Sequence, residues 1–286
     1  MAQENALFRL TVLGSRGSMP LCRSDMIKYG GNTSSYLLET RTDAIILDAG
    51  TGILNIPDTG EKKKSLLISH SHMDHVVGLP QFLTSLFGKE LTIYGSTAEG
   101  LTMRQQLDKY ISRPLWPITL DDYNMDLEFI EARGTFNIGD VTVTTAPSNH
   151  PGGSTLFKLD FCGKKVVYAT DFEHEILPPS KRPVGAEEDT GERTPLESLA
   201  EFSMGADLIL YDAQYTPEEY VRCRGFGHST YEKAIELKDM TGAGKVILVH
   251  HNPSHNDEYM DRLSEVIRER GEGDISFARE GSVYNL

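Results

Sequence analysis

Short apolar runs and apolar–polar alternation organise this chain from its start. "LFRLTVLGSRG" alternates and then meets glycine, which predicts a strand entering a tight turn. "TSSYLLET" and "DAIILDAGTG" predict two further strands across a polar turn, and "SLLIS" a short buried one. "HVVGLPQFLTSLF" then carries apolar residues at helical spacing. "LTIYG" reads as a strand and "TAEGLTMRQQLDKYI" as a helix, followed by the strands "DLEFIEA", "VTVTTAP", "STLFKLDF" and "KVVYATD". Past Asp171 the pattern breaks. "EHEILPPSKRPVGAEEDTGERT" is rich in charge, proline and glycine, and Glu173 to Thr194 is expected to form a long loop or lid. "PLESLAEFSMGA" predicts a helix, "DLILYDA" a strand, "TYEKAIELKDMTGA" a helix ending at glycine, "KVILVHH" a buried strand, and "NDEYMDRLSEVIRERGE" an amphipathic helix. Without repeats, low-complexity tracts or a clear linker, the expectation is one α/β domain over residues 1–286 with a lid at about 173–194.

Composition narrows the classes. With 286 residues, 39% hydrophobic and 24% charged, the chain can bury a sizeable core without disulfide staples. Cys22, Cys162 and Cys223 are odd in number and far apart, which fits a reducing compartment and no cysteine-based zinc finger. "MAQENALFRL" has no signal-peptide pattern, and no apolar run approaches the ~20 residues of a membrane helix. A cytoplasmic location with no membrane partner is therefore expected. The net charge of -14 argues against long nucleic acid as a partner, because the overall field repels a phosphate backbone. Lys62 to Lys64 read as a solvated turn, and a small anion drawn in by metal ions stays compatible with the charge.

The stretch "SLLISHSHMDHVVGLPQF" carries the chemistry. His70, His72, Asp74 and His75 fall within six residues, where a strand should turn into a helix. His70 and His72 can face one metal, and Asp74 and His75 a second; zinc accepts these ligands at ~2.0–2.2 Å. His150, Asp171 and His250 each close an apolar strand, so further ligand types reach one sheet edge. No G-x-S-x-G elbow, P-loop or G-x-G-x-x-G is present.

The run from His70 to His75 resembles the His-x-His-x-Asp-His signature of the metallo-β-lactamase superfamily, and the likeness extends from "LGSRGS" to "HHNPSHND". The resemblance implies a four-layer αββα sandwich with a dinuclear metal site at one edge. It implies that His70, His72 and His150 hold the first metal, that Asp74, His75 and His250 hold the second, and that Asp171 bridges both, with water activated between the ions. His251 is the alternative to His250, which better matches the family's strand position. A histidine at position 72, where di-iron redox members carry glutamate, favours hydrolysis and zinc; manganese or iron also suits the ligand types.

"YDAQY" and "GFGHSTYEKAIELKDMTGAGKVILVHHNP" resemble the branch that processes transfer-RNA 3′ ends, together with its small phosphodiesterase relatives. There a histidine pairs with a carboxylate from the preceding strand; here these would be His228 and Asp212, and a histidine so held can protonate a leaving alkoxide. The catalytic set expected is Asp74, Asp212 and His228, although His228 also sits beside helix-capping Ser229 and Thr230. Asp48 is expected to support the metal loop by hydrogen bonds, and Gly30, Gly31 and Asn32 to form a turn near the metals. Ser148 and Asn149 are expected to steer the substrate or to form a turn, and His174 and His255 to lie near the entrance or on the surface. Trp116 either forms a wall for a stacked base or anchors a loop. No basic glycine-rich arm for gripping RNA is found. The function expected is a dinuclear phosphodiesterase for small phosphodiesters such as cyclic nucleotides. A lactone or other carboxylic ester hydrolase, and a metal-dependent sensing protein without turnover, are the alternatives. A homodimer is expected by analogy with the family.

Overall fold

A computed structural model describes residues 8–182 and 193–286. Its strands are β1 (Arg9–Gly14), β2 (Ser35–Glu39), β3 (Asp43–Leu47), β4 (Lys63–Ile68), β5 (Glu90–Gly95), β6 (Asp126–Glu131) and β7 (Thr135–Ile138). They continue as β8 (Val141–Ser148), β9 (Ser154–Phe161), β10 (Lys164–Ala169), β11 (Leu208–Asp212), β12 (Lys245–Val249), β13 (Ile275–Phe277) and β14 (Val283–Asn285). The α-helices are α1 (Met73–Val76), α2 (Leu79–Ser85), α3 (Met103–Tyr110), α4 (Pro195–Ser203), α5 (Pro217–Cys223), α6 (Tyr231–Thr241) and α7 (Asp257–Glu269).

One seven-stranded sheet has the order β14-β1-β2-β3-β4-β5-β6 and the other β7-β8-β9-β10-β11-β12-β13. In each, three antiparallel pairings are followed by three parallel ones. The runs "DAIIL" and "LILYD" are buried throughout, as strands covered on both faces must be. Edge strand β6 instead alternates exposed and half-buried positions. Val12, Tyr36, Leu47, Val143, Phe157 and Leu210 fill the space between the sheets. Outside the first sheet, Leu83 of α2 and Leu107 of α3 pack with Ile46, Leu66 and Ile93. Outside the second, Leu199 of α4, Leu237 of α6 and Met260 of α7 pack with Ile209 and Val246. These are the four layers of the expected αββα sandwich.

The elements that pattern reading passes over are β7, α5, β13 and β14. Three of them are strands of three or four residues, too short for a period to register. The expected helix after His75 forms as two pieces, α1 and α2, because Gly78 passes close to the Gly50 carbonyl. No helix among the described residues is long and apolar enough to cross a membrane. Strands β3, β4, β8, β10, β11 and β12 all end at one edge of the sandwich. Loops at that edge need not follow the ladder and are free to carry chemistry.

Candidate active site

The loop between β4 and α1 supplies His70, His72, Asp74 and His75, with His72 at the N-terminal cap of α1. Asp48 follows β3, Asp171 follows β10 and His250 follows β12, each with left-handed backbone (φ 57°, 51° and 60°). Side chains other than glycine seldom adopt that conformation, and it turns these three back across the sheet edge.

The geometry sorts the side chains into two groups. His70, His72 and His150 converge, with His150 Nε2 3.2 Å from His72 Nδ1. Asp74, His75 and His250 form the second group, in which Asp74 Oδ2 lies 3.0 Å from His250 Nε2 and 3.3 Å from His75 Nε2. Asp171 stands between them. Its Oδ1 is 3.7 Å from His70 Nε2 and 3.9 Å from His150 Nε2, while its Oδ2 is 3.0 Å from His75 Nε2 and 3.5 Å from His250 Nε2.

Three outward ring nitrogens are anchored, so the opposite nitrogens face inward. His75 Nδ1 donates to Asp48 Oδ2 at 2.7 Å, and His150 Nδ1 donates to the Gly227 carbonyl at 2.9 Å. His70 Nδ1 lies 3.1 Å from Ser69 Oγ. The buried Nε2 of His70 has no hydrogen-bond partner, and that of His75 faces only the carboxylates of Asp74 and Asp171. Orphaned imidazole nitrogens, beside carboxylates, are the donor set of a divalent cation, and these residues could hold two.

Electrostatics agree with that fit. Burial, and then charge on His75, hold His70 well below its ordinary range, and burial pushes His150 down to about 4, so both are neutral. Burial alone would also lower His75 and His250, but the surrounding carboxylates outweigh it. Asp171 and Asp74 push His250 up to about 9, and together with Asp48 they raise His75. The packed carboxylates demand positive charge, and protons on these two rings supply it where cations otherwise would.

His228 Nδ1 donates to Asp212 Oδ2 at 2.8 Å, and its ring stacks on His250 with centroids 4.6 Å apart. Asp212 Oδ2 also accepts the Asp171 N–H at 3.0 Å. The cap of α6 is Thr230, leaving the His228 ring free of that task. A cleft of about 680 Å³ opens over the site, lined by His72, Asp74, His150, Asp171 and His228. Ser18, Glu99, Gln214, Lys181, Arg182 and Phe226 are among the other residues of its wall. Ser18, whose N–H donates to Asp74 Oδ2 at 2.8 Å, escaped the sequence reading although it lies in "LGSRGS". Lys181 and Arg182 sit in the stretch read as a lid, where nothing in the pattern set them apart.

Of the remaining candidates, His250, Trp116, Ser148 and Asn149 follow one of the readings expected for them, whereas Asn32, His174 and His255 are corrected. His251 turns away from the site, Nε2 donating to the Ala278 carbonyl at 2.9 Å, so His250 is the one that joins Asp74. Asn32 is bound to Glu280 through its N–H and its side chain and does not line the cleft. Asn149 donates to the carbonyls of Glu173 and Glu175, and Ser148 Oγ to that of Asp171, so both tie β8 to the segment after β10. His174 and His255 are buried, bonded to Ser229 and Glu219 respectively. Trp116 anchors a loop through Tyr123. Glu173, His174 and Leu177, at the start of the expected lid, are buried; residues 183–192 of that stretch lie outside the described residues.

Residues 44–251 match the family described as Beta-lactamase superfamily domain. The chain is 23% identical to the Ribonuclease Z of Haloarcula marismortui, over 96% of this chain and 95% of that protein. Its fold is similar to that of the metallo-beta-lactamase fold protein YhfI from Bacillus subtilis, with TM-score 0.69, 17% identity and coverage of 99% of this chain and 100% of that one. It is also similar to a diphosphatase from the PhnP family, with TM-score 0.68, 17% identity and 98% of each chain covered. The Ribonuclease Z match overturns the expectation that long nucleic acid is no partner, since a protein alike over nearly the whole chain is named for acting on RNA. Net charge misleads here because it sums the whole surface and does not report the mix of charges at one cleft, where Lys181 and Arg182 stand with Asp74, Glu99 and Asp171.

Proposed function

The chain belongs to the beta-lactamase superfamily, a family of metal-dependent hydrolases, and on that premise we propose that it is a dinuclear phosphodiesterase. The observation that carries the reading is the Asp212–His228 pair at 2.8 Å, with His228 on the wall of the cleft that opens over both ligand groups and Asp212 buried behind it. Two divalent cations, zinc by ligand preference, would be held by His70, His72 and His150 and by Asp74, His75 and His250 with Asp171 between; they would supply Lewis acidity and lower the pKa of water.

The protein's own residues do the rest. Lys181 and Arg182 meet the anionic phosphate at the cleft wall. Asp212 holds the His228 Nδ1–H, which leaves Nε2 to deliver a proton to the departing oxygen. The Ser18 N–H keeps Asp74 turned toward His250. A departing alkoxide needs a proton most where no tetrahedral acyl intermediate drives it out, so the pair has its greatest use with phosphodiesters, whereas a lactone or ester hydrolase needs the same metals and depends less on it. A cyclic nucleotide is the small substrate we favour. An RNA 3′ phosphodiester is the second reading, favoured by the likeness to Ribonuclease Z.

The test is turnover by metal-loaded protein on bis(p-nitrophenyl) phosphate, a 3′,5′-cyclic nucleotide, an RNA carrying a 3′ extension, and a p-nitrophenyl carboxylic ester. Asp74→Ala is expected to abolish phosphodiester turnover. His228→Ala is expected to lower turnover of the cyclic nucleotide or RNA by about a hundredfold, with a smaller loss on the aryl ester of phosphate. Carboxylic ester turnover indifferent to His228, with the phosphodiesters untouched, would reject the proposal.

A further inference from the structure

Glu173 lies two residues past Asp171 and is 1% exposed, yet it belongs to neither ligand group. Its Oε2 accepts the N–H of Gly225 at 3.0 Å and of Gly227 at 2.9 Å, and its Oε1 accepts the Tyr220 hydroxyl. A carboxylate taken this far from water needs such donors. Two of the three are backbone of the loop that delivers His228. The same loop is held elsewhere by Lys181 Nζ, which donates to the Gly225 carbonyl at 2.7 Å, and by His150 on the Gly227 carbonyl. On the far side of His228, His174 Nδ1 lies 2.8 Å from Ser229 Oγ. Residues 173 and 174 thus grip positions 227 and 229, either side of the histidine. Residues 224–229 lie outside any strand or helix; the Tyr215 N–H on the Ser229 carbonyl at 3.1 Å and the Ser229 N–H on Asp212 Oδ1 at 3.3 Å pin the end of the segment, and Glu173 holds its middle at Gly225 and Gly227.

We propose that Glu173 is a positioning residue for His228, fixing residues 225–228 so that the ring keeps Nδ1 on Asp212 and Nε2 toward the leaving oxygen; the inference rests on the reading of His228 as the acid. A side chain that only filled its space would, when removed, lower turnover of every substrate alike. One that places the acid matters most where the leaving group needs a proton.

The experiment compares Glu173→Ala, Glu173→Gln, Tyr220→Phe and His228→Ala with the unaltered protein, metal-loaded, on a 3′,5′-cyclic nucleotide and on bis(p-nitrophenyl) phosphate. Rates are divided by bound metal, because the loop also touches His150. Glu173→Ala is expected to lower the cyclic-to-aryl rate ratio by about tenfold, part of the range general acids contribute. Glu173→Gln is expected to restore most of that ratio, since its amide oxygen can still accept both glycine N–H groups. Tyr220→Phe keeps the buried volume and is expected to move the ratio the same way by less. Should Glu173→Ala fail to fold, Tyr220→Phe decides. Equal losses on both substrates, or no change in ratio, overturn the inference while His228→Ala still shows its leaving-group dependence. A ratio that His228→Ala leaves unmoved overturns the acid itself, and this inference with it.

Discussion

The carboxylate of Asp48 accepts four bonds: from the Ser69 N–H (2.7 Å), Ser69 Oγ (2.7 Å), His75 Nδ1 (2.7 Å) and the Tyr168 hydroxyl (2.6 Å). It sits between the sheets and holds His75 in one tautomer, so removing it frees the ring without deleting a candidate ligand. Asp48→Ala is expected to weaken metal binding by about 10- to 100-fold, measured by competition with a chromophoric chelator. An affinity equal to that of the unaltered protein would mean that His75 needs no such anchor. The "LDAG" context already pointed to a supporting role for Asp48, since an aspartate ending a buried strand must find donors. For Asn32 the same kind of reasoning failed. Its glycine neighbours marked a turn, but nothing local reveals that Glu280, near the opposite end of the chain, takes its side chain.

At the scale of elements, the site depends on loops that must pass close to one another. Gly227 shows this most sharply. Its φ is 93°, and a Cβ there would lie 2.0 Å from His150 Nδ1. Gly227→Ala is expected to displace His150, lowering the metal retained through gel filtration and with it turnover; full metal content in a folded variant would contradict that. Helix α5 was legible after all, because "TPEE" carries a capping box between Thr216 and Glu219 with proline at its start. It was passed over because seven residues give little periodicity. The burial of Glu173, His174 and Leu177 escapes the pattern for a related reason. Charge, proline and glycine describe exposed loops on average, yet here the polar Glu173 and His174 find partners inside.

Across the two sheets the pattern of three antiparallel and three parallel pairings is shared, although the first sheet takes its edge strand β14 from the far end of the chain, and Asp48 and Asp171 each follow the fourth strand, both with left-handed backbone. The repeat is one of topology and has no counterpart in residue identity. The site draws His70, His72, Asp74 and His75 from the first sheet and His150, Asp171 and His250 from the second, so bound cations would join the two halves. Chelation is therefore expected to lower the thermal midpoint, with a bound metal in thousandfold excess over its Kd adding about 4 kcal/mol. The pH dependence has a definite sign. His250 rises from 6.5 to about 9 on folding, so its stabilisation of the metal-free protein is complete below 6.5 and is lost as pH climbs through 9. Asp74 and Asp171 fall below their ordinary 3.8, so their stabilisation is present above that value and is lost in stronger acid. Melting curves of the chelated protein are expected to fall between pH 6.5 and 9, and those of the metal-loaded protein to hold, since the metal displaces the proton. Parallel curves would rule out that exchange.

The candidate ligands from His70 to His75 were legible as a cluster because they are close in sequence, whereas their grouping with His150, Asp171 and His250 is visible only in the structure. Strand and helix assignments were legible for the same reason, since burial on one or both faces writes its period into the chain. Neighbours far apart in sequence were not. His250 and His251 are adjacent and chemically identical, and the left-handed backbone at His250 (φ 60°) with the pairing of His251 to Ser15 and Gly17 sends one to Asp74 and the other to Ala278. Tertiary structure likewise decided that Glu173 grips residues 225–227 and that Lys181 borders the cleft. Those contacts are set by loops meeting at the sandwich edge, and their partners leave no periodic trace.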